Sequence, residues 1–299
     1  MRLEEIERQR AFNYHRTPER RVQTVEEARA FVEEMGFCHF WPIKGIETPN
    51  LFHAIAGRVR SVPNKHDDPD ISKCWGWKDS SLDKKWWYYG KLLRRRATLV
   101  SFKLLPYFYA LSENFGDLHD YVQEYEDGKM TAEAKAIYEA ILENGPLDTV
   151  RLRREARMSA ESAKSRFDRA LVELQVGLKV IPVGVAQAGA WNYAFVYEIL
   201  QRHFPDLPTQ ARPIGRAEAR RVLVQRYIDN VVTVDRKMIA KVFHVLKWTP
   251  KELDRTLGAL LEEEVIQEVA VEKEGVLLVS TCVLGRECGT DSVQANIGS

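Results

Sequence analysis

Ser159–Val176 reads SAESAKSRFDRALVELQV, and Thr249–Glu264 reads TPKELDRTLGALLEEE. Laid side by side at an offset of 90 residues, Ala163 falls on Leu253, Phe167 on Leu257, Ala170 on Leu260 and Leu171 on Leu261. Apolar positions at this spacing share one face of a 3.6-residue helix, so a single buried stripe is written twice. Thr249 and Glu252 form a capping box with Pro250 at the first helical position, which marks where the second of these helices starts.

The surroundings repeat as well. Upstream of the first stripe, TAEAKAIYEAILENG from Thr131 puts Ala134, Ile137, Tyr138, Ile141 and Leu142 on one helical face, and Gly145-Pro146 closes it. A short helix follows Asp148, whose carboxylate suits an N-cap. Downstream, LKVIPVGV and NYAFVYEI read as two strands around a small Gly/Ala turn. The second copy runs GRAEARRVLVQRYIDN, DRKMIAKVFHVL, the quoted helix, then VIQEVAVEK and VLLVS joined by Glu274-Gly275. Helix, helix, helix, strand, turn, strand is the order of a winged helix, here in tandem across the proline-bearing linker FPDLPTQARPIG.

Before Thr131 the pattern is less regular. The first 23 residues are polar and arginine-rich, and Thr24 with Glu27 is a capping box that opens a helix over Val25–Met35, stopped by Gly36. From Gly36 to Tyr125, prolines alternate with Trp41, Trp75, Trp77, Trp86 and Trp87, as in an irregular, aromatic-rich core. Within RRRATLVSFKLLP, Ala97–Phe102 is a strand pair or a strand and turn. The expected fold is mainly α with small β-hairpins (α+β). Its expected parts are a basic arm over 1–23, an N-terminal domain over 24–130 that could be a divergent winged helix, winged helices over 131–205 and 206–281, and a tail over 282–299.

Composition sets the class. The 299 residues are 45% hydrophobic and 29% charged, with 44 basic against 43 acidic side chains, which excludes a disordered tail, a collagen-like repeat and a membrane protein. Four cysteines cannot staple a chain of this length, and MRLEEIERQR is too charged for a signal peptide, so a reducing, cytoplasmic setting is expected. A formal charge of +1 excludes binding of nucleic acid or anionic lipid by bulk charge, so any such contact must come from local patches.

No phosphate loop, dinucleotide fingerprint, HExxH, GxSxG or CxxC pair is present, so no cofactor is implied. Cys282 and Cys288 are poorly spaced for zinc, and His66, Asp67, Asp68, Asp70 and Cys74 mix hard and soft ligands in what reads as a solvated loop, so no metal is expected. The third helix of a winged helix normally enters the major groove of DNA. On its outer face in the first copy stand Ser162, Ser165, Arg166 and Arg169, while Arg151, Arg153, Arg154 and Arg157 load the helix before it. A solvated face interleaved with Glu155, Glu161 and Asp168 is the competing reading. In the second copy Glu252, Arg255, Thr256 and Ala259, followed by Glu262–Glu264, suit packing or a dimer contact better than duplex reading. A further basic run, Lys91 with Arg94, Arg95 and Arg96, lies beside Trp86, Trp87, Tyr88 and Tyr89, as at a site where bases stack while phosphates are neutralised, or at the rim of an aromatic core.

The helix ending in Met35-Gly36, the stretch FCHFWPIKGIETPNLFHAIAGR after it, and the tandem winged helices together resemble the AlkZ/YcaQ-like winged-helix DNA glycosylases over roughly Thr24 to Ser280. The resemblance implies three winged helices in a C-shaped arrangement around double-stranded DNA, with Arg58 in the place of the family's helix-ending arginine. It also implies a Gln-x-Gln or Gln-x-Asp motif that sets a water against the sugar carbon. By position after Gly36 that motif falls on Cys38 and Phe40; phenylalanine cannot polarise a water and a thiol is a poor substitute for a carboxamide or carboxylate, so the motif is absent. His39 or Glu47 could act as a general base instead. The expectation is therefore a winged-helix protein that binds duplex or damaged DNA without the usual catalytic motif. Its alternatives are an active glycosylase with a divergent site on Cys38, His39 and Glu47, and a protein-interaction module.

Overall fold

A computed structural model describes residues 2–64, 67–112, 114, 116–189, 191–272 and 274–284. After α1 (Leu3–Asn13) the chain forms α2 (Val25–Met35), β1 (Phe37–His39), α3 (Leu51–Ala56), α4 (Pro69–Lys84), β2 (Tyr88–Lys91) and β3 (Ala97–Val100). Two short helices, α5 (Leu105–Leu111) and α6 (Asp120–Glu126), lead to α7 (Ala132–Asn144), β4 (Leu147–Asp148), α8 (Thr149–Glu155), α9 (Lys164–Val176), β5 (Val180–Ala186) and β6 (Ala194–Ile199). Then α10 (Leu200–His203) and α11 (Leu207–Ala211) precede α12 (Arg216–Val231), β7 (Thr233–Val234), α13 (Arg236–Val242), α14 (Pro250–Glu262), β8 (Ile266–Val271), β9 (Gly275–Ser280) and α15 (Thr281–Leu284).

Among the described residues three small antiparallel sheets result, ordered β1-β3-β2, β4-β6-β5 and β7-β9-β8. Each places a short strand, which follows the first helix of its unit, beside the second strand of a later hairpin. The fold is thus mainly helical, and each of the three sheets with its helices is consistent with a winged helix. No helix among the described residues is long and apolar enough to cross a membrane.

Local chemistry explains the element ends. Thr24 Oγ1 accepts from the Glu27 amide at 3.2 Å while Glu27 returns a bond to the Thr24 amide at 3.3 Å, so the first capping box is formed. Thr249 and Glu252 form the second, and Thr131, Asp148 and Asp235 cap α7, α8 and α13. Gly36 ends α2 at φ +73°, a left-handed conformation that favours glycine, and a Cβ there would press on the Leu104 side chain.

The sequence reading needs adjusting in the N-terminal third. RRRATLVSFKLLP supplies one strand, Ala97–Val100, whose partners are β1 and β2, and α5 begins at Leu105. Pro69 does not break a loop. It is the first residue of α4, and Asp68 caps that helix by accepting from the Asp70 and Ile71 amides at 3.0 and 3.2 Å. In the second unit the helix expected from Ser159 begins at Lys164, after a single 3₁₀ turn over Glu161–Ala163.

The cores are not divided in chain order. Phe37 of β1 packs its ring against Phe108, Phe243 and Tyr227 at 5.6, 5.9 and 6.5 Å, so the first and third units share one core. Asn230 Nδ2 donates to the Met35 carbonyl at 2.7 Å and closes the same seam. The second unit has a core of its own around Ile137, Ile141, Phe167 and Leu174. It is tied back through Lys179, whose ammonium donates to Asn114 Oδ1 and pairs with Glu124 Oε1, each at 2.7 Å.

Candidate nucleic-acid interface

The β2–β3 hairpin of the first unit stands in the position of a wing. Its turn is built from Arg94 and Arg95, both at φ +56°. Left-handed backbone costs a non-glycine residue about 1–2 kcal/mol, so this turn is held against its own preference, as strained segments at functional sites often are. Thr98 Oγ1 braces it, accepting from the Leu93 amide at 3.1 Å and donating to the Arg96 carbonyl at 2.8 Å. Arg94 Nη1 donates to the Lys241 carbonyl at 3.1 Å and pins the turn to the third unit.

Facing this wing is α9 of the second unit. The Lys91 amide donates to Gln175 Oε1 at 3.0 Å and fixes the distance between the two at one end. Beyond that contact they diverge into an open groove of about 910 Å³, lined on one side by Lys91, Arg94, Arg95 and Arg96 and on the other by Glu161, Lys164, Ser165, Asp168, Arg169 and Val172. Six basic side chains therefore converge against two acidic ones, although the chain as a whole is almost neutral. Positions 165, 169 and 164, 168, 172 are i, i+4 rows on one face of α9, and Glu161 stands in the 3₁₀ turn just before it, so a whole face of α9 looks into the groove. Such a concavity focuses positive potential and suits a phosphate backbone.

The structure brings together some of the sequence candidates and separates others. Arg94, Arg95, Arg96, Ser165 and Arg169 share the groove. Ser162 is exposed in the 3₁₀ turn before α9 and Arg166 is exposed on the helix itself, where it pairs with Glu133 at 3.3 Å. Arg151, Arg154 and Arg157 are exposed on or just after α8, with Arg154 paired to Glu155 at 3.1 Å. Arg153 is occupied within its own unit. Its guanidinium donates to the Met158, Ser159 and Ala160 carbonyls at 3.1, 3.4 and 3.0 Å and holds the turn that leads into α9. Arg58 is exposed two residues beyond the end of α3. Sequence reasoning passed over Lys164, whose i,i+3 spacing from Glu161 reads as an ordinary surface pair; the two do pair at 3.6 Å, inside the groove.

The catalytic candidates lie elsewhere. Cys38 is fully buried on β1 opposite Leu99, and burial pushes its thiol far up, away from the reactive thiolate. His39, opposite Thr98 on the same strand, is 1% exposed and shares a 2.8 Å hydrogen bond between Nδ1 and Thr48 Oγ1. Burial lowers its pKa to about 4, and the nearby Arg94 and Arg96 charges act in the same direction, so the ring is neutral at pH 7. Glu47 is partly open, 3.8 Å from both Arg10 and Arg16, and its backbone carbonyl accepts from the Tyr227 hydroxyl at 2.7 Å. His39 and Glu47 make no hydrogen bond to each other among the described residues, so they do not form an acid–base pair.

Of the residues weighed as metal ligands, Asp68 and Asp70 both bind the Arg60 guanidinium, which also holds the Asp68 carboxyl below its usual pKa, and Cys74 is buried. His66 and Cys288 lie outside the described residues. Among the described residues no group of three or more His, Cys, Asp or Glu side chains could hold a metal ion. In the third unit Thr256 is buried and donates to the Glu252 carbonyl at 2.8 Å, and Glu252 is bound by Arg220, while Arg255 on the same face is exposed.

A protein-family model described as AlkZ related matches residues 22–244, about three quarters of the chain, and ends between α13 and α14. No curated protein and no solved structure matches.

Proposed function

The chain belongs to the AlkZ-related family, and from that premise we propose that it binds double-stranded DNA, damaged duplex included, through the groove between the first wing and α9. One observation carries the reading: two basic sets some 70 residues apart in sequence, Arg94–Arg96 and Lys164 with Arg169, converge on a single concavity. Backbone phosphates are the ligand that such a surface neutralises, and Ser165 and Arg169 are the donors best placed to reach base edges. In this reading the chain works as three winged-helix domains over about 24–130, 131–205 and 206–281, with the first two supplying the groove walls and the third clamping the first wing through Lys241.

Hydrolysis has less support. A water-activating group must reach the sugar, and Cys38 and His39 are enclosed in β1, which leaves Glu47 as the one candidate of the three with solvent access. The test is a titration of labelled duplex with the full chain, run beside an assay for free base released from alkylated DNA. Binding that weakens steeply with salt and no base release is the expected result. Salt-insensitive binding, or none, would refute the DNA reading; base release abolished by Glu47→Ala would replace binding with catalysis.

A further inference from the structure

The β5–β6 hairpin is the wing of the second unit, and near its tip Trp191 is 91% exposed. An indole left so bare adds nothing to a core. Two residues on, the ring of Tyr193 is fastened: its hydroxyl accepts from Lys78 Nζ at 2.6 Å and donates to Asp79 Oδ1 at 2.8 Å. Trp75 of α4 meets that ring edge-on at 6.3 Å. Beneath both, the Lys78 ammonium lies 4.0 Å from the Trp75 ring centroid and 4.4 Å from that of Phe195, with Asp79 Oδ1 at 2.7 Å. The Lys78 side chain is wholly enclosed, while Trp75 and Tyr193 stay 38% and 36% exposed. The two rings are thus held from within and open on the outside, so little conformational freedom is lost when something stacks on them.

This shelf adjoins the groove. Tyr89 of β2 lies 6.2 Å from the Phe195 ring, and its own ring centroid is 5.8 Å from the Lys78 ammonium. Lys91, two residues along the same strand and therefore on the same face, lines the groove. Among the described residues the groove has no aromatic lining, and charge alone does not sense whether bases are paired. In an intact duplex every base is already stacked, and only an unpaired base has a face to offer.

We propose that Trp75 and Tyr193, with Trp191 beyond them, receive unpaired nucleobases, so that the preferred ligand is duplex DNA continuing into a single-stranded segment. The proposal rests on the groove being the DNA interface. The groove holds the phosphates of the duplex portion and the shelf stacks the bases that leave it.

The test compares two probes by fluorescence anisotropy: a blunt duplex of about 20 base pairs, and the same duplex with about six unpaired nucleotides at one end. The junction should bind about tenfold tighter, the gain expected from one or two base–aromatic stacks. Trp191→Ala, a change at an exposed site, and Trp75→Ala should each reduce that preference while leaving the blunt-duplex Kd unchanged, and Trp75→Phe should restore part of it. Equal affinity for the two probes, or a preference that survives both alanine variants, overturns the shelf and leaves the groove standing. Failure of both probes to bind overturns the groove reading and the shelf with it.

Discussion

The groove makes a quantitative statement about salt. Six basic side chains face two acidic ones, so about four uncompensated positive charges are available for phosphates. Each phosphate neutralised on duplex DNA contributes about −0.9 to the slope of log affinity against log salt, giving about −3.6 here. Between about 50 and 200 mM salt the affinity should then fall about 150-fold. Arg95→Gln, Arg96→Gln and Arg169→Gln together would leave about one uncompensated charge, a slope near −0.9 and a loss of only about 3.5-fold over the same range. The three side chains are exposed, so the triple variant should fold normally, which circular dichroism and a melting curve would check. Fluorescence anisotropy at four or five salt concentrations measures both slopes. A triple variant with the parental slope would show that the counterions are released elsewhere and would refute the assignment of the groove.

Other consequences follow from single side chains. Arg153→Ala leaves three turn carbonyls without their donor and should lower stability by about 1–3 kcal/mol in chemical denaturation, with the salt slope of DNA binding unchanged. A changed slope with unchanged stability would return Arg153 to the DNA-binding set. His39 is held neutral, with its pKa lowered from 6.5 to about 4 by burial. Its contribution is therefore intact above pH 6.5 and is lost as the pH falls toward 4, by about 3 kcal/mol in all. His39→Asn should flatten the stability profile in that window relative to the parent, and parallel profiles would mean that the ring is not the buried neutral group described. Glu47→Gln should leave duplex affinity unchanged, since the carboxylate faces Arg10 and Arg16 rather than the groove; an altered Kd would place it at the interface.

What the sequence disclosed follows from how local its causes are. The caps at Thr24, Asp148 and Thr249 are decided within three or four residues, and all of them formed. The stripe through Phe167 and Leu257 is periodic and therefore legible, and both residues are buried. The first unit was harder to see because its repeat is written in short elements: β1 has three residues, α3 has six, and α4 opens on the same Asp68-Pro69 pair that resembles a break. The shared core of Phe37, Tyr227 and Phe243 joins residues some 200 positions apart, and no local pattern announces such a contact. Within the site, the charge runs were visible but their partners were not. Arg153 and Arg169 look alike in the chain, and only the fold shows that one is bonded to carbonyls in its own unit while the other faces the first wing. Likewise, FCHF gives no alternation that would tell a catalytic loop from a strand buried on both faces, which is where Cys38 and His39 lie.

The claim that the first wing and α9 together form the nucleic-acid surface is tested most directly by charge reversal in two places. Arg95→Glu with Arg169→Glu inverts both walls of the groove, whereas Lys251→Glu with Arg255→Glu inverts an equal charge on α14, which lines no part of it. Duplex affinity measured at about 0.15 M salt, where the Debye length is about 8 Å, should collapse in the first variant and stay within about twofold of the parent in the second, because the α14 charges line no part of the groove. Equal losses in the two, or a greater loss from the α14 pair, would contradict the account.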